Sequence, residues 1–328
     1  MRIKKIIIYV CTALCISLMT GCGSKAEDDG KWLNIVCTIY PQYDFVMNIL
    51  GEAAEGANVT YLLWNGLDMH NYQPSAEDII RIAESDVFIY VGGESDKWVS
   101  DVLKSTKHDN MQEIALLDII EAKEEELVPG MEHEHEDDIH GEDTPEEHGG
   151  EYDEHVWLSI KNAVTITDAL CEAVSAADSA NAAVYRANAD VYIAELNKLD
   201  SEYEETINNA KRRTILVADR FPFRYLADDY GLEYFAAFPG CSAETEASFE
   251  TIIFLANKID EYALPVVLKL EASAGAVAET VIGAAASENI GIMVLDSMQS
   301  VTGGKIEDGY TYLKVMRKNL EVLKEALN

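Results

Sequence analysis

Basic residues are scarce in this chain. Its 25 Lys and Arg stand against 59 Asp and Glu, a formal net charge of −34 at pH 7. So acidic a chain repels phosphate backbones and anionic headgroups, which excludes nucleic acid as a partner and leaves cations as the natural ligands. Cysteine is sparse as well: apart from Cys22 and two in the N-terminal apolar run, only Cys37, Cys171 and Cys241 occur, at wide spacing. That excludes a disulfide framework and a CxxC metal site, and leaves room for one bridge at most. Catalytic signatures are missing too, since no G-x-S-x-G elbow, Walker loop or dinucleotide fingerprint is present. The closest approach to a zinc-hydrolase HExxH is HEDDIH at 135–140. Its two histidines would stand about 140° apart on a helix, in a segment too charged to fold alone. The chain is therefore not expected to be an enzyme. Histidine, finally, is absent after His155.

Where histidine does occur, it is concentrated. Five of the seven lie in MEHEHEDDIHGEDTPEEHGGEYDEH (131–155), among Asp, Glu and Gly. Imidazole and carboxylate together are the donors of a transition-metal site, and a polar stretch can wrap an ion without a preformed pocket. Residues 121–154 carry sixteen acidic groups against the single Lys123, so this run repels itself and is expected to be disordered without a bound cation.

The N-terminus has the form of a secretory signal: Arg2, Lys4 and Lys5, an apolar run over 6–19, then Thr20-Gly21 before Cys22. LMTGC (18–22) resembles a bacterial lipobox, which implies that residues 1–21 are removed and Cys22 is acylated, tethering the chain by lipid to the outer face of a membrane. Residues 22–30 are small and polar, suited to a tether. About 300 residues remain, enough for two domains.

Those residues alternate between strand-like and helix-like stretches on both sides of the acidic run. LNIVCTIY (33–40), ANVTYLL (57–63) and VFIYVGG (87–93) precede it; TILVAD (214–219), EYFAAF (233–238), LPVVLKLE (264–271) and GIMVLDS (291–297) follow it. Alternation of this kind predicts βαβ units, and so an α/β fold of two (β/α) lobes with mostly parallel sheets: 31–120 with 155–177, and 211–328. Between the lobes, 178–210 lacks Pro and Gly, and Tyr185, Ala189, Tyr192, Leu196, Leu199, Tyr203 and Ile207 recur at three- and four-residue steps. One amphipathic helix of about 45 Å fits this pattern, a strut between lobes; two helices broken near Asn197-Lys198 are the alternative.

His70, His155 and Asp296 all follow predicted strands, where parallel α/β lobes gather their ligands. At this point the motifs resemble a known family over nearly the whole chain. LDMHNYQPSAEDI (67–79) is similar to that family's first ligand loop, D-P-H-x-Y-x-P-S, with Met69 in place of Pro. EHVWL (154–158) resembles its second ligand motif, residues 178–200 its long connecting helix, VLDSMQSV (294–301) its Leu-Asp carboxylate loop and YTYLKVMRKNLEVLKEAL (310–327) its closing helix. The family is that of the zinc and manganese substrate-binding lipoproteins of ABC importers. The resemblance implies one metal ion, Zn²⁺ or Mn²⁺, in a cleft between two lobes joined by a rigid helix, and delivery to a membrane permease by a monomeric, lipid-anchored, extracytoplasmic receptor.

One position departs from the pattern. Aligning Phe223 and Tyr225 on the family's A-F-x-Y segment puts Arg220 where a His or Glu ligand is usual, and Arg has no lone pair to give a metal. The second lobe must then coordinate through carboxylates or through Cys241. Asp219 is the preferred substitute, beside Asp296. Glu246 and Glu271 also lie in segments drawn towards the cleft. Arg220 would orient Asp219 or Asp296, or neutralise Glu246; otherwise metal is held weakly by three protein ligands and water. His133, His135, His140 and His148 resemble the auxiliary insertion of zinc-type members and are expected to add weaker sites, since ordering a loop costs entropy. Two other readings stay open: a lipoprotein of the same fold binding a non-metal ligand through Arg220, and a metal-dependent surface adhesin.

Overall fold

Residues 32–131, 151–242 and 246–328 are described by the computed structural model. The signal, Cys22 and the four auxiliary histidines lie outside the described residues.

Among the described residues, eight short strands form two four-stranded sheets. The first holds β1 (Leu33–Cys37), β2 (Ala57–Tyr61), β3 (Val87–Tyr90) and β4 (Gln112–Ala115) in the order β2-β1-β3-β4. The second repeats that order with β5 (Thr214–Phe221), β6 (Glu233–Pro239), β7 (Val266–Leu270) and β8 (Gly291–Leu295), as β6-β5-β7-β8. Every pairing is parallel, so the connections run through helices and all carboxyl ends of one sheet point the same way. The strand order reverses beside β1 and β5, which opens a crevice at those carboxyl ends. Seven of the strands match the apolar runs of the sequence. β4 does not stand out because QEIA is an edge strand, only partly buried, and needs no apolar alternation.

The interlobe helix spans Ala182–Asn208 without a break, about 40 Å at 1.5 Å per residue. Its buried residues are Tyr185, Ala189, Tyr192, Leu196, Leu199, Tyr203 and Ile207, the stripe read from the sequence. It grips both lobes. Asn188 Nδ2 donates to Ile49 O at 3.0 Å and Tyr192 OH to Asp44 Oδ2 at 3.1 Å on the first; Tyr203 OH donates to Met316 O at 2.6 Å on the second. Close approach to the first lobe depends on Gly51, at φ +55°, where an added Cβ would meet Asn188 Nδ2 at 2.6 Å. One apolar core runs from the first sheet through this helix to the second sheet, so the helix is packed as a shared wall rather than held as a free linker.

The acidic run is not loose at its two ends, contrary to the expectation for 121–154. Glu125 N donates to Glu151 O at 2.7 Å and Asp153 N to Lys123 O at 2.8 Å, pairing the chain before and after the histidine-rich segment. Two ion pairs tie the start of the run to the second lobe: Lys123 Nζ lies 2.7 Å from Asp228 Oδ2, and Arg224 Nη1 lies 3.1 Å from Glu126 Oε2. Tyr225 OH donates to Asp153 O at 2.9 Å, clamping this stem to the second lobe directly beneath His155.

Candidate metal centre

His70 and His155 of the first lobe each follow an aspartate two residues earlier that accepts their backbone N–H, and in His155 the ring as well. Asp68 caps the short turn Met69–Asn71, its Oδ1 accepting His70 N at 3.1 Å. Asp153 Oδ1 accepts both His155 N at 2.8 Å and His155 Nδ1 at 2.9 Å. The imidazole of His155 is completely buried, against the edge of Trp157, whose Nε1 donates to Ser297 O of the second lobe at 2.9 Å.

The proton positions follow from these partners. Asp153 accepts only, so His155 carries its proton on Nδ1 and a lone pair on Nε2. His70 Nδ1 lies 2.8 Å from Ser95 Oγ, and that hydroxyl gives its single proton to Glu154 Oε2 in a short hydrogen bond. Ser95 Oγ is thus the acceptor, and His70 also has its proton on Nδ1. Burial works against ionisation of Glu154, but hydrogen bonds from His70 and Ser95 outweigh it and hold its carboxyl below the usual range. Two Nε2 lone pairs therefore face each other 3.2 Å apart. Two acceptors at that separation repel unless something electron-poor stands at their focus.

Two side chains of the second lobe stand beside this pair of rings. The Cys241 sulfur completes a set in which the ligand atoms of His70, His155 and Cys241 all lie within 4.8 Å of one another. Gln299 directs its amide nitrogen at both rings, 3.2 Å from His70 Nε2 and in a shorter contact with His155 Nε2. A half-turn of that amide presents its oxygen instead. From the outside, the pair of His70 and Cys241 is reached through a cleft of about 210 Å³ lined also by Glu94, Ser95, Glu151, Tyr152 and Glu154. Burial and the neighbouring charges of Glu94 and Glu125 raise the carboxyl of Glu151, the mark of a crowded anionic mouth.

The carboxylates favoured from the sequence do not join this set among the described residues. Asp296 Oδ1 accepts Met298 N at 2.9 Å and Tyr310 OH at 2.8 Å, turning the chain back on itself after β8. Met298 takes a left-handed φ of +60° in that turn, and Gln299, not Asp296, is delivered to the cleft. Asp219 accepts its neighbour Arg220 N at 2.9 Å and Leu270 N at 3.3 Å. β5 holds one extra residue here relative to β6, between the pairs Val217–Ala236 and Arg220–Phe238, and such a bulge re-aims side chains that strand alternation would place. Glu271 is spent on Ser297, accepting its N at 2.9 Å and its Oγ at 3.0 Å.

Arg220 also differs from expectation in its partner. Its Nη2 lies 2.8 Å from Asp68 Oδ2, and Nη1 donates to Ser242 O at 3.3 Å, so it holds neither Asp219 nor Asp296 through its guanidinium, and Glu246 is exposed. Burial opposes ionisation of Asp68, yet the Arg220 charge and the hydrogen bonds hold its carboxyl below the usual range. Asp68 is thereby tied on one oxygen to His70 and on the other to the second lobe. Asp219, Arg220 and Asp68 line a second cavity of about 340 Å³.

Sequence reasoning passed over Ser95, Asp68, Asp153 and Gln299. A signal existed for two of them, the repeated Asp-x-His of Asp68-Met69-His70 and Asp153-Glu154-His155. Cys37, Cys171 and Cys241 are all free thiols.

With this geometry in view, the comparisons with known proteins are decisive about kinship. The family model for ZnuA, the periplasmic component A of a zinc-uptake complex, matches residues 35–326. The chain belongs to the ZnuA family. It is 32% identical over 326 residues to the zinc-binding lipoprotein AdcA of Streptococcus pneumoniae, an alignment covering 98% of this chain and 61% of that protein. The high-affinity zinc uptake system protein ZnuA of Bacillus subtilis is 28% identical over 322 residues, 96% of this chain and 95% of that one. Among solved structures, the Zn(II)-bound ZnuA-like domain of S. pneumoniae AdcA matches with a TM-score of 0.71 and 28% identity, covering 90% of this chain and 99% of that domain. The two-lobed α/β fold is the ZnuA fold. No described helix of this family member is long and apolar enough to cross a membrane.

Proposed function

We propose that this chain is the extracytoplasmic receptor of a metal importer of the ABC class, taking Zn²⁺ between its lobes through His70 and His155 and handing it to a membrane permease. The observation that carries the reading is the pair of imidazoles whose Nδ1 protons are committed to fixed acceptors, so that both Nε2 lone pairs converge 3.2 Å apart. Metal-binding imidazoles take this form, with the second nitrogen held by a carboxylate or its relay. An N···N edge of about 3.3 Å is also what a tetrahedral zinc with bonds of about 2.05 Å requires. The acidic mouth and the overall charge favour capture of a cation and disfavour an anionic cargo.

Acylation of Cys22 as the tether, the monomeric state and the auxiliary sites at His133, His135, His140 and His148 are parts of the same reading. Binding an organic anion through Arg220 is weakened by Asp68, which already neutralises that guanidinium at 2.8 Å. The experiment is a calorimetric titration of the metal-stripped protein with Zn²⁺, Mn²⁺ and small organic acids, in wild type and His70→Ala. One tight zinc equivalent lost in the variant is the expected result. Tight binding of an organic acid, or zinc binding indifferent to His70, would overturn the reading.

A further inference from the structure

The third protein donor of this centre is unassigned by anything so far, because the position where the family usually has a His or Glu is occupied by Arg220, and Asp219, Asp296 and Glu271 are engaged elsewhere. Cys241 remains. It stands just past the carboxyl end of β6, in the crevice where the second sheet meets the first lobe. Three contacts bring it there. Gly240 rides so close to His155 that an added Cβ would lie 3.2 Å from the imidazole and 2.9 Å from Phe221 O, so only glycine lets the chain pass. Glu125, on the stem of the acidic run, accepts Cys241 N at 2.8 Å. The sulfur itself is approached by the backbone N–H of Glu154, while burial and the charges of Glu125, Asp153 and Glu154 push its thiol well up, so that its deprotonation needs the charge of a bound cation.

We propose that Cys241 binds the metal as a thiolate, making the centre a two-imidazole, one-thiolate site with Gln299 beside the fourth position; the inference rests on the zinc-capture reading above. The distances permit it. In a tetrahedral zinc site the N···S edges are about 3.6 Å, so a sulfur within 4.8 Å of one nitrogen of each imidazole needs a shift on the order of 1 Å, the scale of a side-chain adjustment. As the S–Zn bond forms the S–H bond breaks, and one proton leaves to solvent for each zinc bound. Two consequences separate this centre from one built on imidazole and carboxylate. A thiolate selects borderline and soft ions, so Zn²⁺ and Cd²⁺ are retained and Mn²⁺ is not. And alkylation or oxidation of one thiol would disable capture, whereas Cys37 and Cys171 are buried away from the cleft.

The test reads the sulfur directly in the full chain. Metal-stripped wild type is loaded with one equivalent of Co²⁺ and scanned for sulfur-to-cobalt charge-transfer absorption in the near ultraviolet. In parallel, alkylation of Cys241 by iodoacetamide is followed by peptide mass mapping with and without Zn²⁺. The expected results are a charge-transfer band that Cys241→Ser abolishes, zinc protection of Cys241 by more than about tenfold in rate, and a loss of zinc affinity on the order of a hundredfold in Cys241→Ser. Because the protection assay uses the wild-type protein, it stands even where the variant folds poorly. Stoichiometric zinc binding with Cys241 alkylated at an unchanged rate would overturn the thiolate donor alone. No zinc binding by wild type would overturn both this and the function on which it rests.

Discussion

In the first lobe, Asp153 orients the His155 ring from two residues away and Asp68 fixes the His70 backbone in the same way, with Ser95 holding the His70 ring, while the second lobe's Cys241 is held by Glu125 across 116 positions and its Arg220 by Asp68 across 152. The difference teaches where a metal site is written. A ligand fixed by its own tripeptide carries its orientation wherever the segment is placed, so the motif alone identifies it. A ligand fixed by tertiary contact has an aim decided by bulges, turns and the partner lobe.

The sharpest way to break the comparison is to remove a first-lobe ligand. His70→Ala and His155→Ala are each expected to weaken zinc binding by more than about a hundredfold, beyond what the loss of an outer hydrogen-bond partner costs. Competition against a chromogenic chelator, in a background that also lacks residues 132–150, measures the cleft without the auxiliary histidines. Unchanged affinity in either variant would sink the first-lobe assignment. Asp153→Ala comes next, at about 10- to 100-fold, because His155 would keep its place in the chain yet lose the acceptor that fixes its tautomer. A loss as large as that of His155→Ala would mean that Asp153 holds the fold rather than the imidazole, and circular dichroism of the variant distinguishes the two.

Most of the fold was legible in advance because its signals are local. Short apolar runs reported seven of the eight strands among the described residues, and the three- and four-residue recurrence from Tyr185 to Ile207 reported every buried position of the long helix. Periodicity is local, and burial of one face is its direct physical cause. In the second lobe the sequence left carboxylates and Cys241 as alternatives, because the aim of these side chains depends on features that leave no period. One extra residue in β5 redirects Asp219 and Arg220, and a left-handed Met298 carries the chain past Asp296 to Gln299. The start of the acidic run is ordered, against its self-repulsion, because ion pairs of Lys123 and Arg224 tie it to the second lobe in three dimensions.

Arg220 gives a smaller effect whose sign is informative. If its contact with Asp68 steadies the His70 turn across the cleft, Arg220→Ala weakens zinc binding by about tenfold, and so does Asp68→Asn. The two changes share one contact, so the double variant is expected to be no weaker than the worse single one, a non-additivity that a double-mutant cycle resolves. Tighter binding in Arg220→Ala would show that the guanidinium acts only by repelling the cation.

The smallest expected effect tests the reading that the sequence alone favoured. Asp219 accepts Leu270 N and Arg220 N, Asp296 accepts Met298 N and Tyr310 OH on Oδ1, and neither belongs to the cluster formed by His70, His155 and Cys241. Replacing either by asparagine preserves shape, keeps a carbonyl oxygen to accept the stronger of these bonds, and removes one negative charge outside the ligand set. At physiological ionic strength such a charge is partly screened, so zinc affinity should change by about threefold or less for Asp219→Asn and for Asp296→Asn. The same chelator competition applies, with Gln299→Glu as the opposing control. That change puts a carboxylate where the amide now faces both imidazoles and should tighten zinc by about tenfold. Should Asp296→Asn instead cost as much as His155→Ala, the turn after β8 must rearrange when metal binds, and the second lobe's ligand would be written in its local sequence after all.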